Sequence, residues 1–259
     1  RNDEPTAVMS SVSQNEGVLA SGTVVSEIEL SSVDVFTDGS GNVLTAGSQY
    51  SYALTGSDAQ DFEAVYDALT DKVLVRVKDG VTHTTDHEAS STLDINLVVT
   101  YDTNETVTFV VPTDVVDVNE APSFVLSSRG QAFAGLSMSS TPLDGVSGRV
   151  EASDVDAGDV LAYSINDAGA VLSGSVYTFV GDYGSFLLNS QTGGFTYEVD
   201  PSLAGSQEVP GGETVTETVS IIVTDSSGAT DSTTVTFAVA ARNDEPTAVM
   251  SSVSQNEGV

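Results

Sequence analysis

The chain has 259 residues, with 38 Asp and Glu against 7 Lys and Arg, a formal charge of -31, no cysteine and no tryptophan. At roughly 100–200 residues per domain this is one large or two ordinary domains, and so acidic a surface repels phosphate backbones and anionic lipid while attracting cations. The lack of cysteine excludes a disulfide scaffold, thiolate zinc sites and a cysteine nucleophile.

Residues 1–18, RNDEPTAVMSSVSQNEGV, recur without a change as residues 242–259, so that residue 1 returns at residue 242 with an offset of 241. A fixed period marks an array of repeating units; a cloning duplication is the alternative. The opening Arg1-Asn2-Asp3-Glu4-Pro5 is unlike a signal peptide, and no apolar run approaches the ~18 residues of a membrane span. An export signal is therefore expected outside this stretch. Next in chain order, Gln60 to Leu69 passes for a short helix, but Asp61-Phe62-Glu63-Ala64-Val65-Tyr66 alternates equally well. Period-two alternation follows in Lys72 to Lys78, Leu93 to Tyr101 and Glu105 to Val111. Asp117-Val118-Asn119-Glu120-Ala121-Pro122 then echoes the opening segment and its copy at Arg242 to Pro246, as a polar, Pro-terminated linker should. Beyond it, Thr214 to Thr224 and Thr233 to Val239 alternate again.

Turn signals separate these runs at Asp38-Gly39, Gly41-Asn42, Asp79-Gly80, Gly193-Gly194, Gly211-Gly212 and Ser227-Gly228. Val, Thr and Ser dominate, while straight-chain helix formers are scarce. The expectation is an all-β protein of two tandem antiparallel Greek-key β-sandwiches, end to end. The domains are 1–117 and 118–241, with 242–259 the first strand of the next copy.

The enzyme search yields little. No Ser has glycines at both −2 and +2, and neither Lys72 nor Lys78 follows a phosphate-cradling glycine loop. His83 and His87 are four apart, a zinc spacing on a helix, but they follow a β-run and an Asp-Gly turn among threonines. They read as solvated loop histidines. Sugar-stacking aromatics are few: Phe124, Phe133, Phe179, Tyr183 and Phe186 are the candidates, and most should be core. The reading is therefore not an enzyme.

The acids are more informative. They cluster at strand ends: Asp86-His87-Glu88, Asp117 to Glu120, Asp154-Val155-Asp156-Ala157-Gly158-Asp159, Asp225-Ser226-Ser227-Gly228, and Glu16 near the opening. Ca²⁺ takes six to eight oxygen ligands from carboxylates, Asn and carbonyls on flexible loops. An Asp-x-Asp in a tight loop puts two carboxylates on one side. No EF-hand loop closes on a Glu here, and any single cluster could be merely a solvated face.

Residues 16–122 resemble a cadherin-type domain in its bacterial form. The resemblance rests on Tyr50-Ser51-Tyr52-Ala53-Leu54-Thr55-Gly56-Ser57-Asp58-Ala59 with Phe62, on Asp86-His87-Glu88, on Tyr101-Asp102, and on the Asp117 to Pro122 linker. Residues 148–246 are similar to a VCBS-type repeat, through Gly148 to Ser164, Thr192-Gly193-Gly194-Phe195-Thr196-Tyr197 and Asn243-Asp244-Glu245-Pro246. Such arrays look like the extender regions of giant RTX adhesins, which bacteria export by type I secretion.

The resemblance implies a Ca²⁺ ligand set at the central linker: Glu16, Asp86, Glu88, Asp117 and Asn119 from the first domain, and Asp154, Asp156 and Asp225 from the second. Glu120 stands where the family has a linker Asp. Asp102, and Asp3 and Asp244 in the two outer linkers, complete the set. Ala241 stands where Asp117 would align, and Glu213 and Glu217 are weak substitutes for Glu16, so a poorer cluster is expected at 242. Asp34 and Asp38 are looser than an Asp-x-Asp.

The implied role is a Ca²⁺-rigidified extender at the Gram-negative cell surface, in biofilm adhesion, flexible during export and stiff afterwards. The alternative is a polysaccharide-binding or homophilic module. The expected partners are neighbouring repeats, with weak self-association through residues 242–259. Nucleic acid and membrane insertion are not expected, and glycan is not favoured.

Overall fold

A computed structural model describes residues 4–32, 36–37, 43–44, 49–102, 105–139 and 143–241. The turn signals at 38–42, and Asp34, Asp3, Asp244 and the whole of 242–259, lie outside them. The chain divides into two compact units, Arg1–Asn119 and Glu120–Val259. Among the described residues, the regular structure of each is almost wholly β-strand.

In the first unit a four-stranded antiparallel sheet has the spatial order Thr6–Ser11, Val24–Ser31, Lys72–Val77, Phe62–Asp67. A second sheet has the order Glu105–Val110, Asn96–Asp102, Ser51–Thr55. Alternation decides what is buried. Val73, Val75 and Val77 of Lys72–Val77 turn inward to meet Ile28, Leu97 and Val99, all essentially inaccessible. Each sheet thus contributes one face to the core, as in a β-sandwich.

The ambiguous run at 60–69 resolves into a single 3₁₀ turn, Ala59–Asp61, and then the strand Phe62–Asp67. Phe62, only 1 % exposed, is the residue the turn delivers to the core. Nearby, Gly56 has φ +117°, and a Cβ there would lie 2.2 Å from the Asp94 carbonyl oxygen. Only glycine fits that crossing.

The second unit packs a sheet ordered Gln131–Ser137, Thr230–Ala240, Thr214–Thr224, Ala162–Ile165 against one ordered Gly145–Arg149, Gly194–Val199, Gly184–Asn189, Val176–Val180, Val171–Ser173. Its core is aromatic. Tyr197 stacks on Phe237 with ring centroids 4.0 Å apart, and Phe133, Phe186 and Phe195 close around them. Phe124 and Phe186 are buried, and Phe133, Phe179 and Tyr183 pack against the same cluster. Among the described residues a five-residue α-helix, Ala204–Glu208, interrupts the strands.

The expected antiparallel sandwiches are present, with two pairings among the described strands that run parallel. Gln14–Asn15 runs parallel to Val115–Val116, and Gln131–Ser137 runs parallel to Thr230–Ala240. In each case the second strand of a unit pairs with the unit's last described strand, the two running through the sandwich in the same direction. No described helix is long and apolar enough to cross a membrane.

Candidate metal centre

Three segments meet at one end of the first unit. Gln14–Asn15 pairs with Val115–Val116, Gly17–Leu19 pairs with His83–Thr85, and the Glu16 N–H donates to the Val116 carbonyl at 2.9 Å. Gly17 allows the bend between the two short ladders with φ +108°. Glu16 is thereby held between the other two segments. Its Oε2 accepts the His87 N–H and its Oε1 the Val118 N–H, both at 2.7 Å.

Those two backbone donors, with smaller help from Glu88 and His87, hold the Glu16 carboxyl below the usual glutamate range against a modest desolvation. It is an anion whose position is fixed by the backbone of two other segments. Beside it, one ligand atom each from His87, Glu88 and Asp117 lie within 4.8 Å of one another. His87 Nδ1 is 3.5 Å from Glu88 Oε1.

Asp86 and Asn119 are exposed and outside that trio. The Asp86 Oδ1 accepts the Ala89 N–H at 3.0 Å and its carbonyl accepts the Ser90 N–H at 2.9 Å, so it organises the turn that presents His87 and Glu88. Asp102 ends the strand Asn96–Asp102; its side chain lies outside the described residues.

In the second unit the loop after Ala152–Ser153 carries Asp154, Asp156 and Asp159. One carboxylate oxygen of each lies within 4.8 Å of the others. The Asp156 N–H donates to Asp154 Oδ1 at 3.1 Å, and Asp156 Oδ2 accepts the Glu120 N–H at 2.9 Å. Asp154 Oδ2 and Asp159 Oδ2 are buried and accept no hydrogen bond from the described residues. At an effective dielectric of about 20, two carboxylates this close repel by on the order of 3 kcal/mol, less where water screens them. Buried anionic oxygens without donors are costly, and a hard divalent cation is the group whose chemistry answers both defects.

Asp225 is buried, but its Oδ1 accepts three N–H groups of its own hairpin turn, from Ser227, Gly228 and Ala229 at 2.9, 2.6 and 2.8 Å. That oxygen builds the turn. The turn is tied to the acidic loop by the Val160 N–H donating to Ser226 Oγ at 3.1 Å.

Sequence reading placed Asp159 in a cluster without assigning it as a ligand, and left His87 out. The reading of two solvated loop histidines is corrected for His83. It lies in the strand His83–Thr85, its Nδ1 is 2.9 Å from Asp61 Oδ2, and its ring meets Phe62 edge-on at 5.0 Å. Glu217 turns inward to Tyr197 and Asp182. Ala241 donates its N–H to the Glu213 carbonyl at 2.8 Å.

Several carboxyls share the lowered pKa of Glu16. Hydrogen bonds from Ser57 lower Asp94, and those from Ser202 lower Asp200. Burial raises Asp231, but the Phe124 and Ser232 N–H groups and Arg129 outweigh it, so its carboxyl also lies low. Groups with folded-state values below the unfolded ones contribute stability that is complete above the ordinary values of 4.5 for Glu and 3.8 for Asp. That contribution is lost as pH falls through the lowered values. Calorimetric melting of the metal-free chain, in salt that screens its general self-repulsion, is expected to hold steady to about pH 5 and fall steeply below about pH 4. A melting temperature that kept rising on acidification would contradict this.

No protein-family model matches the chain. No curated protein matches it either. Solved structures of similar fold are extracellular cadherin domains. A protocadherin gammaB7 EC3-6 cis-dimer is 16% identical with a TM-score of 0.57, over 91% of this chain and 49% of that one. Protocadherin gamma B2 extracellular cadherin domains 1–5 are 19% identical with a TM-score of 0.60, over 94% and 41%. Mouse cadherin-23 EC22–24 is 19% identical with a TM-score of 0.52, over 91% and 67%. The chain thus spans less than half the length of the first two. At these identities the likeness is one of fold: tandem cadherin-like sandwiches.

Proposed function

We propose that this chain is a Ca²⁺-stiffened extender segment of an extracellular adhesin, holding other regions at a distance rather than performing catalysis. The observation that carries the reading is the Asp154, Asp156, Asp159 trio, with two buried carboxylate oxygens that no hydrogen bond satisfies. In the first unit Glu16, Glu88 and Asp117 would serve as further ligands, with Asp86 and Asn119 within the same turn and linker. A bound divalent cation supplies positive charge that neutralises several carboxylates at once.

The acids flank the linker 117–122 in sequence, and Glu120 within it is already tied by its N–H to Asp156. Neutralising both sets would stiffen that segment, which in the absence of cation carries unrelieved repulsion. The bacterial context, an RTX-type array exported by type I secretion with VCBS-like second domains, rests on the sequence resemblance. It fits the exact repeat of residues 1–18 at 242–259.

The test is calorimetric titration of the chelator-treated chain with Ca²⁺ and separately with Mg²⁺. Binding is expected at about 10⁻⁴–10⁻³ M for Ca²⁺, as for extracellular modules, and weaker for Mg²⁺, which is reluctant to shed water into such loops. Absence of a saturable Ca²⁺ heat, with no change in scattering dimensions between chelator and Ca²⁺, would overturn the proposal.

A further inference from the structure

The five-stranded sheet of the second unit covers the aromatic core with one face and turns the other to solvent. Along Gly194–Val199 the residues Phe195, Tyr197 and Val199 are buried, so Gly194, Thr196 and Glu198 point outward, and the strand register carries that outer face across the neighbouring strands. On a chain of net charge -31 this face is nearly bare of charge. Among its outward strand residues only Arg149 and Glu198 are charged. It carries four aliphatic side chains, Val171, Val176, Val180 and Leu187, of which Val171 is 65% exposed and Val180 57%. Beside them Gly194, which has no side chain, leaves a recess of about 400 Å³ bordered by Val176, Leu187, Asn189 and Thr196. The outer face of the opposite sheet presents mainly Thr, Ser and Ala instead.

The register fixes where each feature lies. Arg149 and Val176 belong to one end row, opposite Gly194 and Asn189, while Glu198 and Val180 belong to the other, both opposite Ser185. Val171 and Leu187 share the row between, each opposite Thr178. A half-turn about an axis along that middle row brings two copies face to face with their strands antiparallel and their end rows exchanged. Val176 of each copy then meets Val180 of the other, Leu187 meets Leu187, and Val171 meets Val171. Arg149 of each copy lies one strand spacing, about 5 Å, to the side of Glu198 of the other, within reach of its long side chain. A half-turn about an axis along the strands would press Glu198 onto Val180. The face is self-complementary in the first arrangement and not in the second.

We propose that two copies of this chain pack laterally through this outer face of the second unit, as an isologous pair with stacked sheets about 10 Å apart. The proposal goes beyond the extender reading and needs no bound metal. The occupant is a second copy because this is a face where two chains of -31 meet without setting acid against acid. Its two charges are of opposite sign and placed to pair across the two-fold axis. Arg149 keeps its Nε on the Thr192 carbonyl at 2.8 Å, and its ion pair with Glu151 at 3.3 Å joins two side chains that are more than half exposed, so that contact is readily exchanged. Five strands about 4.8 Å apart and some five residues long span on the order of 300–400 Å², roughly half the share per partner of a standard interface. Lateral pairing is therefore weak and concentration-dependent.

Sedimentation equilibrium and small-angle scattering of the full chain test this, in chelator, up to millimolar protein and at about 0.15 M salt, where repulsion beyond about 8 Å is screened. Wild type should form a concentration-dependent dimer. Glu198→Arg lowers the net negative charge, so general repulsion alone would make it associate more tightly. It should instead associate about fivefold or more weakly, because Arg149 then faces a second arginine. Arg149→Glu should weaken pairing likewise, and the double charge swap should restore the wild-type constant. Both positions are exposed, which keeps the fold intact. Val180→Ala should weaken pairing severalfold, whereas Val8→Ala, at a residue 72% exposed on the first unit, should leave it unchanged. A monomer at every concentration, tighter association of Glu198→Arg, a swap no better than the single variants, or equal losses from Val8→Ala and Val180→Ala would each overturn the proposal.

Discussion

In chelator, a protein carrying Asp154→Asn and Asp159→Asn is expected to melt above the wild type, and in millimolar Ca²⁺ to lose most or all of that advantage. The wild-type loop brings three carboxylates within 4.8 Å and leaves Asp154 Oδ2 and Asp159 Oδ2 buried without a donor. Removing two of the charges relieves repulsion of on the order of 3 kcal/mol per close pair before water screening, so a net gain of about 1–2 kcal/mol is expected without metal. The substitutions leave Asp156 in place because its Oδ2 accepts the Glu120 N–H.

With metal that advantage is offset. A site occupied at about ten times its Kd adds about 1.4 kcal/mol to the folded state, and the variant forfeits this for every ion that needs Asp154 or Asp159. In a domain of this size 1 kcal/mol shifts the melting temperature by about 4 °C, so the difference between the two conditions is large enough to read by calorimetry. A variant less stable in both conditions would make the two carboxylates structural. A variant whose Ca²⁺ response matched the wild type would place the binding elsewhere.

How far the sequence displays this architecture depends on the kind of contact. Lys72–Val77 and Thr214–Thr224 are legible because every second side chain enters a core, and the observed bounds of the latter are those of the alternation itself. Gly145–Arg149 is not legible. Its glycines erase the alternation, and Gly148 is required because a Cβ there would lie 2.4 Å from the Phe195 ring. Nor is the Gln14–Asn15 ladder, since two residues have no period and their partner, Val115–Val116, is about a hundred residues away.

The same division runs through the candidate site. Asp154, Asp156 and Asp159 are legible because one loop carries all three at short spacing. Glu16 is a single acid near the opening with no cluster around it, and its place in the ligand set came only through resemblance to a family. Asp225 carries a local signal of a second kind: an Asp followed three residues later by Gly is the pattern in which the carboxylate bonds the backbone of its own turn. Its Oδ1 does so three times. His83 was taken for a loop residue because Asp61 and Phe62, which fix it, are remote in sequence.

Glu217 shows the largest effect that pattern alone leaves hidden. In sequence it is one acid in an alternating strand, and a weak substitute for Glu16. In the fold it is 8% exposed, with its Oε2 accepting the Tyr197 hydroxyl at 2.6 Å and its Oε1 accepting the Asp182 N–H at 2.7 Å. It lies opposite Phe237 in the sheet, and Tyr197 stacks on that ring. Burial, and then the bond to Glu217, push the Tyr197 hydroxyl well above the usual tyrosine range, so this donor stays protonated at any ordinary pH.

The carboxylate thus ties the loop at 181–183 to the central strand of the opposite sheet. Gly181 is needed to admit it, because a Cβ there would lie 1.6 Å from Glu217 Oε1. Glu217→Ala leaves a buried hydroxyl and a part-buried N–H without acceptors, at about 1–3 kcal/mol each, and opens a void beneath them. The expected loss is about 3–5 kcal/mol, confined to the second unit's unfolding transition. Glu217→Gln retains an amide oxygen for the Asp182 N–H and a group of the same size against Tyr197, so it should lose only about 1 kcal/mol. Chemical denaturation of both variants checks this ordering. If the glutamine variant fell as far as the alanine one, the negative charge rather than the two hydrogen bonds would be what holds the loop.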